Sequence, residues 1–232
     1  MGGGRLLIHG DQSADVLLYR RYLPLAAHRS GAGIIVSVPA EMRRLAAAWP
    51  DTTLGTEADR ACAFKSLPEL FDTRPDMISS PPPLAAIGAW AGRAVRLRGL
   101  RVGVAFDHPA LLTALGKIAG VNFVALPGFK PVADPEVPVH DWSGEIIDLA
   151  DAAGLITHLD LIITEGNVTA HLAASLGRPV WLLPPDPPRF PWSREQEDNA
   201  WYPTLRQFIS SDTIAPALAL MAIDTPEDQT FA

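Results

Sequence analysis

The chain has little cysteine, no clustered charge and no long apolar run. Its single cysteine, Cys62, excludes an intrachain disulfide and a cluster of thiolate metal ligands. The 19 basic and 26 acidic residues give a net charge of −7 without a run of like charges, which argues against a nucleic-acid partner. An anionic ligand is not excluded, because backbone amides at a helix N-terminus attract anions without any lysine.

Membrane and secretory features are also lacking. No apolar stretch approaches the ~20 residues that span a bilayer, so we expect no integral membrane segment. The N-terminus runs from Met1 straight into a strand-like segment at 5–8, without the charged and apolar regions of a secretory signal. These features predict a cytoplasmic protein of bacterial type.

Metal-binding patterns are missing from the sequence as well. No two aspartates stand two positions apart, so the chain has no D-x-D clamp for a metal–nucleotide complex. The histidines are scattered, without the spacing of a zinc site. We therefore expect chemistry that needs no metal and no cofactor.

Hydrophobic residues make up 48% of the chain, enough for a sizeable core. Short strand-like runs alternate with helix-like runs in two series, one before and one after a hinge at 93–99. The first series includes helices expected at 14–28 and 84–93. This alternation is typical of α/β proteins with parallel sheets. We predict an N-terminal domain at 1–94 and a C-terminal domain at 95–232, both Rossmann-like and facing a cleft. In such sheets ligands bind at the carboxyl ends of the strands.

The segment 159–183 predicts one βαβ unit with a polar turn between the first strand and the helix. Asn167 is a favoured N-cap residue, and Gly166 permits a tight turn before it. Free amides in the first helical turn carry the positive end of the helix dipole, so the turn is a candidate cradle for a diphosphate. The opposing interpretation is that every helix needs a cap and most capped helices bind nothing. The candidate binding residues are Thr164, Glu165, Gly166, Asn167, Val168, Thr169 and His171.

Several blocks of the sequence resemble glycosyltransferase family 9, and most closely the heptosyltransferase-like domain that bacterial tetratricopeptide-repeat glycosyltransferases carry. The helix "AHLA", the "LGRPVW" that follows it and the later "WYPTLR" match the C-terminal pattern of that family. In the first half, "DVLLYRRYLPLAA" at 15–27 matches the end of its first strand and its first helix. The middle of the chain, roughly 55–95 and 127–145, matches by position only.

The resemblance implies a GT-B fold and an inverting, metal-independent sugar transfer. The donor would be a nucleotide-diphosphate sugar held by the C-terminal half, and the acceptor an unknown sugar or protein hydroxyl. Asp15 would take the role of the base that deprotonates this hydroxyl. An alternative interpretation makes Asp15 a favourable negative charge in the first turn of a helix. A tetratricopeptide-repeat protein is a further possible partner.

The chain departs from the family at positions that could touch the nucleotide. Gly166-Asn167 stands where the family has Asp-Thr, and Asp107-His108-Pro109 replaces a polar loop. Ala14 precedes Asp15 in place of a glycine, and Gln196 replaces a basic residue. Two alternatives to an active transferase therefore stay open: a non-catalytic GT-B relative that acts as a binding or scaffold protein, and a sugar-nucleotide epimerase or other nucleotide-binding Rossmann-like protein.

Two further expectations concern the C-terminal half. In the proline- and aromatic-rich loop 184–203, the aromatic rings could stack on a sugar or base, but we favour Trp201 and Tyr202 as anchors that attach an irregular segment to the domain. Arg189 and Arg194 are candidate contacts of a diphosphate or of a partner. A final helix near 213–222 is expected to pack back on the first half, as in GT-B proteins.

Overall fold

A computed structural model describes residues 4–74, 77, 78, 81, 84, 90–94, 96–130 and 137–223. In the first half, four parallel strands form one sheet in the order β3-β2-β1-β4. Helices connect them, as the alternating sequence pattern predicts. The elements are β1 (Arg5–His9), α1 (Ser13–Tyr19), α2 (Leu23–Ser30), β2 (Gly33–Ser37), α3 (Arg43–Ala46), β3 (Thr52–Leu54), β4 (Arg60–Ala63) and α4 (Leu67–Leu70).

The second half forms a separate sheet of six parallel strands, in the order β10-β9-β8-β5-β6-β7. The two-residue β7 and the edge strand β10 were not expected from the sequence. The elements are α5 (Ala91–Ala94), β5 (Leu100–Ala105), α6 (Pro109–Leu115), β6 (Val121–Ala125), β7 (Val139–His140), α7 (Leu149–Ile156), β8 (Leu161–Glu165), α8 (Val168–Ser175), β9 (Val180–Leu183), β10 (Leu205–Gln207) and α9 (Ile214–Ile223).

Both sheets change winding direction once. From β5 the chain winds outward through β6 and β7, then returns to the other side of β5 with β8, β9 and β10. The loops that follow β5 and β8 therefore diverge to opposite faces and leave a crevice at the carboxyl edge, where ligands of such sheets bind. In the first sheet the corresponding position lies between β1 and β4.

The helix expected at 14–28 is broken into two. A 3₁₀ turn at Arg20–Tyr22 separates α1 from α2. Pro24, at the start of α2, lacks an N–H and its ring would clash with the carbonyl four residues earlier, so a continuous α-helix cannot run through it. Most of another expected helix, at 84–93, falls outside the described residues, and α5 covers its end.

The two halves pack against each other through helices. Helix α1 lies against α8, and α3 lies against α7. Arg44 on α3 forms ion pairs of 3.1 Å with both Asp148 and Asp151 at the start of α7. The last described strand of the first sheet ends at Ala63 and the first of the second begins at Leu100; a domain boundary at residue 94 stays a prediction.

The final helix does not pack where the sequence comparison suggested. The buried residues Ile214 and Leu218 of α9 belong to the core that surrounds β5 and α6 in the second half. The expectation of a return to the first half is wrong for the described residues, because the apolar face of α9 is buried against its own domain. None of the described helices is long and apolar enough to cross a bilayer.

Candidate functional site

The polar turn after β8 is built around the side chain of Asn167. Its Oδ1 accepts hydrogen bonds from the amides of Thr169, at 2.9 Å, and Ala170, at 3.4 Å, which caps α8. Its Nδ2 donates to the carbonyl of Ala105 at 3.0 Å, at the end of the neighbouring strand β5. The predicted N-cap is therefore confirmed, and the same side chain joins the loops on both sides of the crevice.

Most amides of the predicted cradle have acceptors inside the chain. Besides the two amides that Asn167 caps, its own amide donates to the carbonyl of Glu165 at 2.7 Å. Three of the five amides at 166–170 thus already donate hydrogen bonds within the chain. The remaining amides of the turn belong to Gly166 and Val168, which lie at the positive end of the α8 dipole.

The threonine hydroxyls of the cradle also face the protein. Thr164 is fully buried, and its Oγ1 lies 3.1 Å from both the carbonyl of Ala105 and Oδ1 of Asn167. The Thr169 hydroxyl donates to the carbonyl of Pro127 at 2.6 Å. Both side chains therefore hold the loops in place, and the assignment of either as a ligand contact stays a prediction.

Gly166 is packed under an aromatic ring. A Cβ at this position would lie 2.5 Å from Cδ1 and 2.6 Å from Nε1 of Trp192, closer than real Cβ contacts. Trp192 itself is buried, with its ring centroid 4.7 Å from that of His171. The glycine that departs from the family pattern is thus required by the packing of this indole.

His171 is enclosed in the core, one turn into α8. Its Nδ1 lies 3.0 Å from the hydroxyl of Tyr202, and its side chain contacts both Trp192 and Tyr202. Burial, with a smaller contribution from the positive charge of Arg21, lowers the pKa of His171 to about 3. The ring is therefore neutral at pH 7. Tyr202 is fully buried, which confirms that it attaches the loop to the domain.

A cavity of about 350 Å³ opens beside Glu165, at the carboxyl ends of β8, β9 and β10. Its walls combine carboxylates with a cation, a histidine and apolar side chains. They are formed by His108, Glu165, Leu183, Pro184, Pro185, Asp186, Arg194, Phe208, Ile209 and Ser211. The predicted contact Arg194 lines this cavity, where its guanidinium forms a 3.0 Å ion pair with Asp186.

Two features of this edge were not predicted. His108 caps α6, because its Nδ1 accepts from the amide of Leu111 at 3.3 Å. Lys130, in the loop after β6, forms a 2.7 Å ion pair with Asp107. The first could have been found from the sequence, since a polar residue before Pro109 is a common helix start. The ion pair between Lys130 and Asp107 joins two loops, and no local sequence pattern predicts such a contact.

Asp15 lies in the first turn of α1, at the carboxyl edge of the first sheet. Its pKa is raised, chiefly by partial burial; nearby Lys65 lowers it and Asp11 raises it further. Since α1 packs on α8, Asp15 belongs to the helix that faces the candidate cradle. Of the candidate binding residues in the opposite half, His171 is enclosed by aromatic rings. The role of Asp15 as a base stays a prediction.

No protein-family model matches the chain. The FlbA protein of Caulobacter vibrioides is 35% identical over 83 residues, which are 34% of this chain and 13% of that relative. The match thus spans a small part of a much longer protein.

Several similar solved structures are glycosyltransferases. The ADP-heptose heptosyltransferase II of E. coli aligns with a TM-score of 0.64 at 16% identity, over 96% of this chain and 99% of the other. A glycosyltransferase of family 9 from Veillonella parvula aligns with a TM-score of 0.61 at 11% identity, over 95% of this chain and 90% of the other. The iron-containing dodecameric glycosyltransferase TibC of enterotoxigenic E. coli aligns with a TM-score of 0.57 at 11% identity. This alignment covers 78% of this chain and 58% of the TibC chain. The chain therefore has the heptosyltransferase-like GT-B fold, as the sequence resemblance implied.

Proposed function

We propose that the chain is a glycosyltransferase that takes a sugar from a nucleotide-diphosphate donor. The donor binds at the carboxyl edge of the second sheet, with its diphosphate at the start of α8. The acceptor, a sugar or protein hydroxyl, approaches from the side of the first sheet. A tetratricopeptide-repeat protein remains the proposed partner.

The observation that carries this proposal is the convergence of features at one crevice. The winding of the second sheet reverses between β5 and β8, and the capped start of α8 lies at that point. A cavity of about 350 Å³ opens beside it. Open α/β sheets bind ligands at such reversals, and the positive end of a helix favours an anion.

In the proposed reaction Asp15 accepts the proton of the acceptor hydroxyl. The hydroxyl oxygen bonds to the anomeric carbon of the donor, and the bond from that carbon to the diphosphate oxygen breaks on the opposite side, which inverts the configuration. Partial burial raises the pKa of Asp15 and so makes its carboxylate a stronger base. The dipole of α8 stabilises the charge of the leaving diphosphate without a metal.

A binding protein without turnover is the second candidate, because two observations favour it. Trp192 fills the space that an acidic side chain at position 166 would need. Three of the five amides in the cradle are already engaged, and Glu165 adds negative charge beside it. In this alternative, Asp15 lies in the first turn of α1 only because its charge favours the helix.

The test separates binding from transfer. Titration with UDP, GDP and ADP measures whether the crevice takes a nucleoside diphosphate. Incubation with the corresponding nucleotide sugars, with release of the diphosphate as the readout, measures turnover with water or added acceptors. Binding with release supports the transferase, binding without release over a range of acceptors supports the binding protein, and the absence of both contradicts the proposal.

A further inference from the structure

Lys130 is linked to the candidate donor site through Asp107, whose amide donates to the cavity-lining Glu165. Its ammonium group lies 2.7 Å from Oδ2 of Asp107, and Glu165 is a second negative charge that acts on it. The amide of Asp107 in turn points toward Oε1 of Glu165 at 3.4 Å. One cation therefore interacts with two carboxylates, and the three groups lie in the loops after β5 and β6 and at the end of β8.

The loop that carries Lys130 is fixed to the start of α8. The Thr169 hydroxyl donates to the carbonyl of Pro127, and the amide of Lys130 donates to the carbonyl of Phe106 at 3.4 Å. Gly128 adopts a φ of +99°, and a Cβ there would lie 2.9 Å from Nδ2 of Asn167. The position of the lysine is thus set by the same residues that cap the helix.

The carboxylates near the start of α8 favour an additional cation for the binding of a diphosphate. Asp107 and Glu165 would both repel it, and most amides of the cradle are engaged within the chain. Lys130 and Asp107 are largely exposed, at 71% and 49%. Exposed ion pairs are weak, so the ammonium group can exchange Asp107 for a more highly charged partner at little cost.

We infer that Lys130 binds the diphosphate of the nucleotide donor and offsets the repulsion from Asp107 and Glu165. The inference rests on the proposed function, since it assigns a residue to the site described there. It also gives the crevice a preference: nucleoside diphosphates bind more tightly than the corresponding nucleosides, and Lys130 contributes to the difference.

The test compares affinities for ADP, UDP and GDP with those for adenosine, uridine and guanosine. Loss of one charge-assisted contact in Lys130→Gln should weaken diphosphate binding by about tenfold and leave nucleoside binding unchanged. Lys130→Arg should retain most of the affinity, because it keeps the charge. Lys117→Gln, at an exposed lysine in the turn that follows α6, is the matched control and should behave as the wild type.

Asp107→Asn gives an independent result. It removes the competing carboxylate, so diphosphates should bind at least as tightly as to the wild type, whereas a cation that only holds the loop through Asp107 predicts weaker binding. If the wild type binds diphosphates and Lys130→Gln binds them equally well, this inference alone is overturned. If the wild type binds no diphosphate, the proposed function fails, and the inference with it.

Discussion

The indole of Trp192 occupies the space above Gly166 so closely that a Cβ at the glycine would lie 2.5 Å from the ring. Gly166 is one of the two positions at which the turn after β8 departs from the family pattern. The contact explains in packing terms why no side chain stands there. It also links the loop 184–203 to the cradle, because the ring that covers the glycine also contacts His171.

Gly166→Ala should destabilise the protein by about 1–3 kcal/mol, the usual range for overpacking a filled space. The cost should fall sharply when Trp192 is replaced by alanine, because the obstructing ring is then gone. Chemical denaturation of the two single variants and the double variant measures this coupling. Gly144→Ala is the control, since a Cβ there meets nothing within 4 Å. Additive effects of the two substitutions would contradict the contact.

Asn167→Ala should lower the free energy of unfolding by about 1–2 kcal/mol, because α8 loses its side-chain cap. The bond to Ala105 is lost as well, so the loss should exceed that of Ser210→Ala. Ser210 caps a short 3₁₀ turn near the C-terminus through one amide. Asn167→Asp keeps the cap oxygen and should cost less than the alanine. An equal loss of unfolding free energy for Ser210→Ala and Asn167→Ala would contradict the larger contribution that we expect from the Asn167 side chain.

Protonation of His171 should make the protein less stable in acid. The folded pKa of about 3 lies below the ordinary histidine value of 6.5, so the unfolded chain takes up the proton first. The contribution of the neutral His171 ring to the free energy of unfolding is fully present above pH 6.5. It falls by up to ~1.4 kcal/mol per pH unit between pH 6.5 and pH 3. The stability difference between wild type and His171→Gln, measured from pH 7 to 4, should shrink accordingly. A constant difference for His171→Gln would contradict its burial as a neutral ring.

Asp15→Asn should reduce sugar transfer by about 10²–10⁴-fold, the usual contribution of general base catalysis. The affinity for the diphosphate should not change, since Asp15 lies in the half opposite the proposed donor site. Asp11→Asn, in the loop just before α1, is the matched control and should retain activity. If Asp15→Asn transfers sugar at the wild-type rate, Asp15 is not the base, and its charge only stabilises the first turn of α1.

Local patterns predicted the βαβ unit that carries the candidate site. Strand β9 falls where the apolar run 180–183 indicates, and Asn167 caps α8 as its residue type favours. The break at residues 20–22 could have been foreseen from Pro24, because the effect of proline on a helix is local. The alternation of helices and strands was enough to predict two parallel sheets.

The contacts that decide the site lie outside local patterns. Trp192 reaches Gly166 from a loop 26 residues further along the chain, and Lys130 meets Asp107 from a different loop. The core position of α9 likewise depends on which sheet its apolar face covers. Such long-range contacts depend on the final packing, so the local patterns of a single sequence do not reveal them.

The most direct test of the central claim is the thermal stability of the wild-type chain with and without UDP, GDP and ADP. A ligand at one hundred times its dissociation constant stabilises the folded state by about 2.7 kcal/mol, which shifts the melting temperature measurably. We predict a shift with at least one of the three diphosphates, and a smaller one with the matching nucleoside. No shift with any of them at millimolar concentration would contradict a donor site at the start of α8.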